Sequence, residues 1–373
     1  MHIFQRKLTK QIVDHLFKSK AILVFGPRQA GKTTLAKTIL QSFGNDGAYF
    51  NCEIASIRRY FEVGNPDLLK KLVADSKIVV FDEAQTIENI GIILKGLIDT
   101  YPEIQVIAIG SSSFDLANKI NEPLTGRAFE FTLYPLSLDE IREAFPNFSR
   151  NNLNEIMRLG TYPAIIAENN MRIREDILKN LATNYLYKDV YMFESIKNPR
   201  IFENLLRMLA LQIGSLVSVN ELSQTLGISR GSVEKYLRLL EQSYVIRIIR
   251  SFSRNPRNEM KKGFKVFFID VGIRNAIIDN ISDINTRPDR GSIFENFFIS
   301  ERFKTSLLES FPPFIGFWRN RQGIEIDVVE EKSGNIKAYE CKWSEISSKS
   351  ISIFKKKYPD AEVSVINPDT LLL

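Results

Sequence analysis

Residues 26–33, Gly26-Pro27-Arg28-Gln29-Ala30-Gly31-Lys32-Thr33, carry the sharpest chemical signal in the chain and fit G-x-x-x-x-G-K-[ST]. A glycine-rich turn lets consecutive backbone N–H groups wrap a phosphate, and the following helix aims its positive end there. Lys32 would reach the β- and γ-phosphates, Thr33 would offer its hydroxyl to Mg²⁺, and Thr34 completes the phosphate-binding stretch. A second signal is Val79-Val80-Phe81-Asp82-Glu83, an apolar run ending in two carboxylates. Asp82 at the strand's carboxyl end suits the Mg²⁺ shell, and Glu83 is placed to orient and deprotonate an attacking water. A third run ends in Gly110-Ser111-Ser112-Ser113, where Ser111, or failing it Ser112, would touch the γ-phosphate and the water. Arg127, in LTGRAFEF, would neutralise charge on the γ-phosphoryl, in its own subunit or on a neighbour's nucleotide. The expected cofactors are ATP and Mg²⁺.

Two more constellations lie downstream. VSVNELSQTLGISRGSVEKYLRLLEQSYVIRII reads as helix, tight turn at Gly227, helix, strand, with Ser229 capping the second helix. Leu222, Leu226, Val233, Leu237 and Leu240 form its apolar stripe; Arg230, Ser232, Lys235 and Arg238 lie off it. From 247 to 265 seven basic side chains (Arg247, Arg250, Arg254, Arg257, Lys261, Lys262, Lys265) face one acid, Glu259, a concentration suited to a phosphate backbone. DNA is therefore an expected partner. The last constellation is Asp327, Glu340 and Lys342, a D…E-x-K layout. If a hairpin sets Asp327 beside Glu340, both would ligate Mg²⁺ and Lys342 would position or activate a water for phosphodiester hydrolysis. Glu295, on the preceding helix, is an additional ligand candidate.

The elements needed to position these groups follow from hydrophobic period. Short continuous apolar runs at 21–25, 77–81 and 104–109 predict strands buried on both faces. Strands at 47–51 and 129–133 and helices at 65–77 and 92–100 complete a doubly wound α/β pattern. Residues 137–196 carry helical period only. From 264 the pattern returns to α/β, with strands at 264–269, 314–318, 324–330, 336–341 and 361–366, and helices at 291–309 and 349–358. The expected division is 1–135, 136–198, 199–255 and 256–373.

Composition excludes several classes. The 373 residues carry 50 Lys+Arg against 44 Asp+Glu, a mild basic excess, with 44% hydrophobic residues. Cys52 and Cys341 cannot make a disulfide framework or a four-thiolate zinc site, and His2 and His15 cannot serve a histidine metal centre. There is no signal-peptide core and no apolar run of the ~18 residues needed to cross a bilayer. The expectation is a cytoplasmic, reduced, soluble chain without a membrane partner.

GPRQAGKTTL, FDEAQ, GSSS, LTGR and LYPLSLDE together resemble the AAA+ ATPase domain of a large prokaryotic family whose members add a C-terminal restriction-endonuclease-like domain. GSIFENFF, EIDVV and YECKW extend the resemblance into the C-terminal part, and the 217–249 segment resembles a winged helix-turn-helix. The resemblance implies an α/β P-loop ATPase core, a helical lid, a winged helix and a nuclease-like α/β domain. It implies Asp82 on magnesium, Glu83 as catalytic base, Ser111 or Ser112 as sensor, and an oligomer. The chain departs from the family in lacking a clear second sensor arginine, so Arg127 stays open between an in-cis sensor and an in-trans finger. Three functions are in play: an ATPase acting on or regulated by DNA, a nucleotide-gated switch or assembly protein, and an ATP-regulated nuclease.

Overall fold

In a computed structural model describing residues 4–110, 124–185, 198–254, 263–344 and 349–372, the apolar runs become the central strands of a parallel sheet. Strands β1 (Ala21–Phe25), β3 (Ile78–Asp82) and β4 (Gln105–Ile109) are buried throughout, while β2 (Gly47–Asn51) and β5 (Ala128–Thr132) are half-buried edges. The order is β2-β3-β4-β1-β5, all neighbours parallel. The order does not follow the sequence, because β4 inserts between β1 and β3. The carboxyl ends of all five strands therefore open on one side, where α/β sheets bind ligands.

Helices α1 (Leu8–Asp14), α2 (Lys32–Gln41), α3 (Ala55–Arg58), α4 (Pro66–Val73) and α5 (Ile90–Thr100) accompany the sheet. One face is packed by Leu69 and Val73 of α4 and by Ile90, Ile93, Leu94 and Leu97 of α5 against Leu23, Phe25, Val79, Phe81 and Val106. Pro66 occupies the first turn of α4 and Asn65 accepts from the Leu68 amide, a capped start. The helix expected to reach 77 stops at Val73, because the Lys77 N–H is already committed to the Asp46 carbonyl at 2.8 Å as the chain enters β3.

The chain divides into two units, Met1–Leu136 with Gln242–Tyr244, and Ser137–Glu241 with Val245–Leu373. The second begins with α6 (Leu138–Ala144), α7 (Arg150–Leu159), α8 (Pro163–Ile166), α9 (Met171–Asn180) and α10 (Pro199–Leu211). Next come β6 (Leu216–Val217), α11 (Val219–Leu226), α12 (Arg230–Gln242), β7 (Ile246–Arg250) and β8 (Phe264–Phe268), whose strands form an antiparallel sheet in the order β6-β8-β7. Helices α13 (Val271–Ile277) and α14 (Arg290–Ser306) lead to β9 (Phe314–Arg319), β10 (Glu325–Lys332), β11 (Asn335–Cys341), α15 (Lys349–Lys357) and β12 (Glu362–Ile366). This last sheet runs β12-β11-β10-β9, parallel only between β11 and β12. Its faces are covered separately: Phe354 and Tyr358 lie over Trp318, Ile326 and Val329, and Phe298 and Ile299 over Phe317 and Val328. Among the described residues, no helix is long and apolar enough to cross a membrane.

A buried ionic knot ties this second unit. Asp289 accepts from Arg274 at 2.7 Å and from Arg287 at 2.8 and 2.9 Å, and both arginine side chains are only 1% exposed. Burial alone would raise the Asp289 pKa, but the hydrogen bonds from Arg287 and Arg274 outweigh it and hold it at about 2. A carboxyl depressed in the folded state stabilises fully above its ordinary pKa of 3.8, and that contribution is lost as pH falls toward about 2. Asp289→Asn leaves two buried guanidinium groups short of their counter-charge. It should cost about 3 kcal/mol of stability near neutral pH, read as a lowered urea midpoint.

Candidate functional site

The loop leaving β1 is shaped by residues in the left-handed region. Gly26 has φ 143°, Gln29 57° and Gly31 99°. A Cβ on Gly26 would stand 2.1 Å from the Leu133 carbonyl oxygen, so only glycine fits there. Arg6 braces the turn by donating to the Ala30 carbonyl at 2.7 Å and to the Tyr134 carbonyl at 2.6 Å. Gly31 caps α2 without any side-chain acceptor, which leaves the first-turn amides to an external anion. Lys32 is buried, and its Nζ donates to the Gly26 and Pro27 carbonyls at 2.8 Å each. Pro27 and Ala30 are buried, Arg28 and Thr33 partly so, and Gln29 and Thr34 are exposed along the loop.

At the carboxyl end of β3 the pieces meet. Asp82 is 4% exposed, and its Oδ2 accepts from Thr33 Oγ1 at 2.7 Å and from the Tyr49 hydroxyl at 2.6 Å. Its Oδ1 accepts from the Glu83 amide at 2.9 Å. Thr33 and Asp82, 49 positions apart, thus face one point, and an oxygen pair of this kind fits a hydrated Mg²⁺. Glu83 takes φ 53°, unusual for a non-glycine residue and typical of strained functional positions. Its carboxylate accepts from the Gln85 side chain. Burial, then Asp82, raises the Tyr49 phenol, which stays protonated as a donor to that carboxylate. Burial, then Asp82 and Glu83, pushes the Cys52 thiol to about 12, so this fully buried cysteine is no nucleophile.

Ser111 and Ser112 lie outside the described residues; Gly110 before them donates to the Val24 carbonyl at 3.2 Å, beside the loop. Arg127 is a correction. Its carbonyl accepts from the Ala21 amide at 2.9 Å, at the amino end of β1. Ala21 pairs with Ala128 and Phe25 with Thr132, so Arg127 stands five strand residues, roughly 17 Å, from Thr132 at the end where Gly26 begins. There it pairs with Asp99 at 2.7 Å. The in-cis sensor role is excluded by strand direction.

In the second unit, Gly227 (φ 65°) ends α11 and Ser229 Oγ accepts from the Ser232 amide at 3.1 Å, giving the tight turn. α12 buries Val233, Tyr236, Leu237, Leu239 and Leu240 and leaves Arg230, Lys235 and Arg238 exposed, with no acidic partner among the described residues. The basic run beyond it is not one surface. Arg257 and Lys261 lie outside the described residues, and exposed Arg254 stacks over Tyr358 at 5.6 Å. Lys265 is a correction: it is 1% exposed and sits among carboxylates.

Those carboxylates are the C-terminal cluster. Oxygens of Glu295 on α14 and of Glu325 and Asp327 on β10 lie within 4.8 Å of one another. Lys265 Nζ donates to Glu295 at 3.1 Å and to Glu325. The β10–β9 register shifts between Ile326 and Val329, an irregularity in the pairing beside Asp327. Asp327 Oδ2 accepts from the Cys341 amide at 2.7 Å, while Glu340 Oε1 accepts from Lys342 at 2.8 Å and from Ser350 at 3.1 Å. Burial, then Glu295 and Glu340, raises the Asp327 carboxyl well above the ordinary range. Burial would lower the Lys265 pKa, but Glu295 and Glu325 outweigh it and the net direction is up. The trio therefore contains Glu325, which the D…E-x-K spacing does not single out, and omits Glu340.

Family models match three successive stretches of the chain. Residues 18–142 match an AAA domain, 150–284 a domain of unknown function (DUF8612), and 290–371 another (DUF4143). An uncharacterized protein of Mycobacterium tuberculosis is 25% identical over 355 residues, 92% of this chain and 74% of the relative. One of Methanocaldococcus jannaschii is 25% identical over 343 residues, 86% and 74% respectively. Among solved structures, a Signal Transduction ATPase with Numerous Domains from Pyrococcus horikoshii, carrying a tetratricopeptide repeat sensor, is 13% identical with TM-score 0.32. It is covered over 82% of this chain and 45% of its own. Pif1 helicase from Candida albicans is 14% identical with TM-score 0.28, covered over 48% of each chain. The chain spans less than half the length of both structures. Residues 18–142 thus match an AAA domain, and the parallel five-stranded sheet they form is consistent with a P-loop NTPase fold.

Proposed function

We propose that the first unit binds ATP with Mg²⁺ and hydrolyses it, in work that acts on or is regulated by DNA. The observation that carries this reading is the Thr33–Asp82 hydrogen bond, which joins the glycine-rich loop to the tip of β3 beside Glu83. The amides of the loop and of the first turn of α2 bind phosphate oxygens. Lys32 exchanges two neutral carbonyl partners for phosphate charge, which strengthens its contacts. Thr33 and Asp82 hold the Mg²⁺, which when bound neutralises phosphate charge. Glu83 takes the proton of the attacking water, and Tyr49 keeps the Asp82 carboxylate aimed.

DNA contact is assigned to α12. The order β6, α11, α12, β7, β8 is that of a winged helix, and α12 presents Arg230, Lys235 and Arg238 to solvent. Changing all three to glutamate should weaken duplex binding at least tenfold. It should also flatten the dependence of log K on log salt by about 2.7, at roughly 0.9 per phosphate contact. Unchanged isotherms would remove α12 from the interface.

The displacement of Arg127 from the phosphate end favours a second reading, a nucleotide-gated switch with slow turnover in which ATP sets an assembly state of several copies. ATP turnover measured with and without duplex, single-stranded and branched DNA separates the two. Stimulation by DNA supports the DNA-coupled ATPase. Slow, DNA-insensitive turnover with an ATP-dependent change in oligomer size supports the switch.

A further inference from the structure

The D…E-x-K layout implies a divalent metal in the second unit, and the residues present do not fit one. Five of the eight oxygens of Glu295, Glu325, Asp327 and Glu340 accept from a cation, an amide or a hydroxyl. Glu295 meets Lys265 through Oε1, and its Oε2 lies 2.9 Å from where a Cβ on Gly214 would stand. Glu325 meets Lys265 through Oε1 and Arg319 through Oε2 at 3.2 Å. Asp327 Oδ2 is held by the Cys341 amide and Glu340 Oε1 by Lys342 and Ser350, while the buried Glu340 Oε2 has no partner. Three of the four carboxylates, Glu295, Glu325 and Glu340, are thus paired with the cations Lys265, Arg319 and Lys342, while Asp327 meets a backbone amide and lies in the cluster that Lys265 enters.

Lys265 is built into this place. It is the second residue of β8, paired in register with Leu216 and Ile249, so its backbone cannot withdraw without breaking the three-stranded sheet. Its ammonium also stands over Phe317 at 5.3 Å and Phe267 at 6.0 Å, aromatic faces that favour a monovalent organic cation. A divalent ion bridging Glu295, Glu325 and Asp327 would sit against that ammonium, where partial burial weakens the screening of their repulsion.

We propose that the Lys265 ammonium is the resident cation of the Glu295–Glu325–Asp327 cluster, that it excludes a divalent metal, and that the domain keeps the layout of a metal nuclease without its metal. The cluster then works as a tether joining β8, α14 and β10. This inference is independent of the ATPase reading, and its test uses no nucleotide.

The experiment titrates Mn²⁺ into the full chain without ATP and follows free Mn²⁺ by electron paramagnetic resonance. Wild type is expected to show no site that depends on Asp327: its isotherm should match that of Asp327→Asn. Lys265→Met should gain one Mn²⁺ per chain, at least tenfold tighter than any wild-type uptake, and Lys265→Met/Asp327→Asn should lose it. A stoichiometric wild-type site abolished by Asp327→Asn overturns the proposal. So does a folded Lys265→Met chain that takes up no Mn²⁺. If Lys265→Met does not fold, the comparison of wild type with Asp327→Asn still decides.

Discussion

Lys32→Ala is expected to abolish ATP turnover, by ~10²–10³-fold or more, and to remove most ATP affinity with it. The side chain is buried against its own loop and holds the Gly26 and Pro27 carbonyls, so its ammonium already stands inside the turn. No other residue on this loop offers a buried ammonium. The substitution removes two buried hydrogen bonds to the Gly26 and Pro27 carbonyls but leaves β1 and the apolar face of α2 (Leu35, Ala36, Ile39) untouched. Folding should therefore survive, and a circular dichroism melt beside the turnover assay separates lost chemistry from lost structure. Turnover close to wild type would remove the loop from the reaction.

Glu83→Gln should behave differently: turnover falls by ~10²–10⁴-fold while ATP binding is retained. Glutamine keeps the size, the backbone conformation at φ 53° and an oxygen to accept from Gln85, but cannot take a proton. Asp82 keeps its bond from the residue-83 amide, so the Mg²⁺ ligands are not disturbed. Comparing Kd for ATP with kcat shows the split. Equal loss in both would mean that Glu83 shapes the site rather than serving as its base.

How much of this was legible in the sequence depends on the range of each contact. The loop at 26–33 and the Asp82–Glu83 tip were readable because each is local: a glycine pattern or a carboxylate at the end of an apolar run. The insertion of β4 between β1 and β3 was not, since all three runs look alike and order depends on packing across the sheet. Arg127 could have been placed correctly. A residue that precedes a strand, in a sheet whose strands run parallel, lies at the end opposite a loop that follows a strand. Tyr49 gave no signal, because its hydroxyl reaches Asp82 only once β2 lies beside β3.

Lys265 shows the opposite failure. It closes a basic run, and charge counting assigned it to a surface. Its partners lie 30 and 60 positions away, on α14 and β10, and only the fold makes the lysine internal. Phe267, two residues on, was the available clue: it shares the face of β8 that enters the apolar core. The cationic partner of Glu325 could not be inferred without β8.

Calorimetric titration of ATP·Mg²⁺ into the wild-type chain, with Lys32→Ala as the control, bears on the whole account at once. One saturable site per wild-type chain, missing from the control, is the predicted result. An indistinguishable pair of flat titrations would mean that the turn after β1 is not a triphosphate cradle.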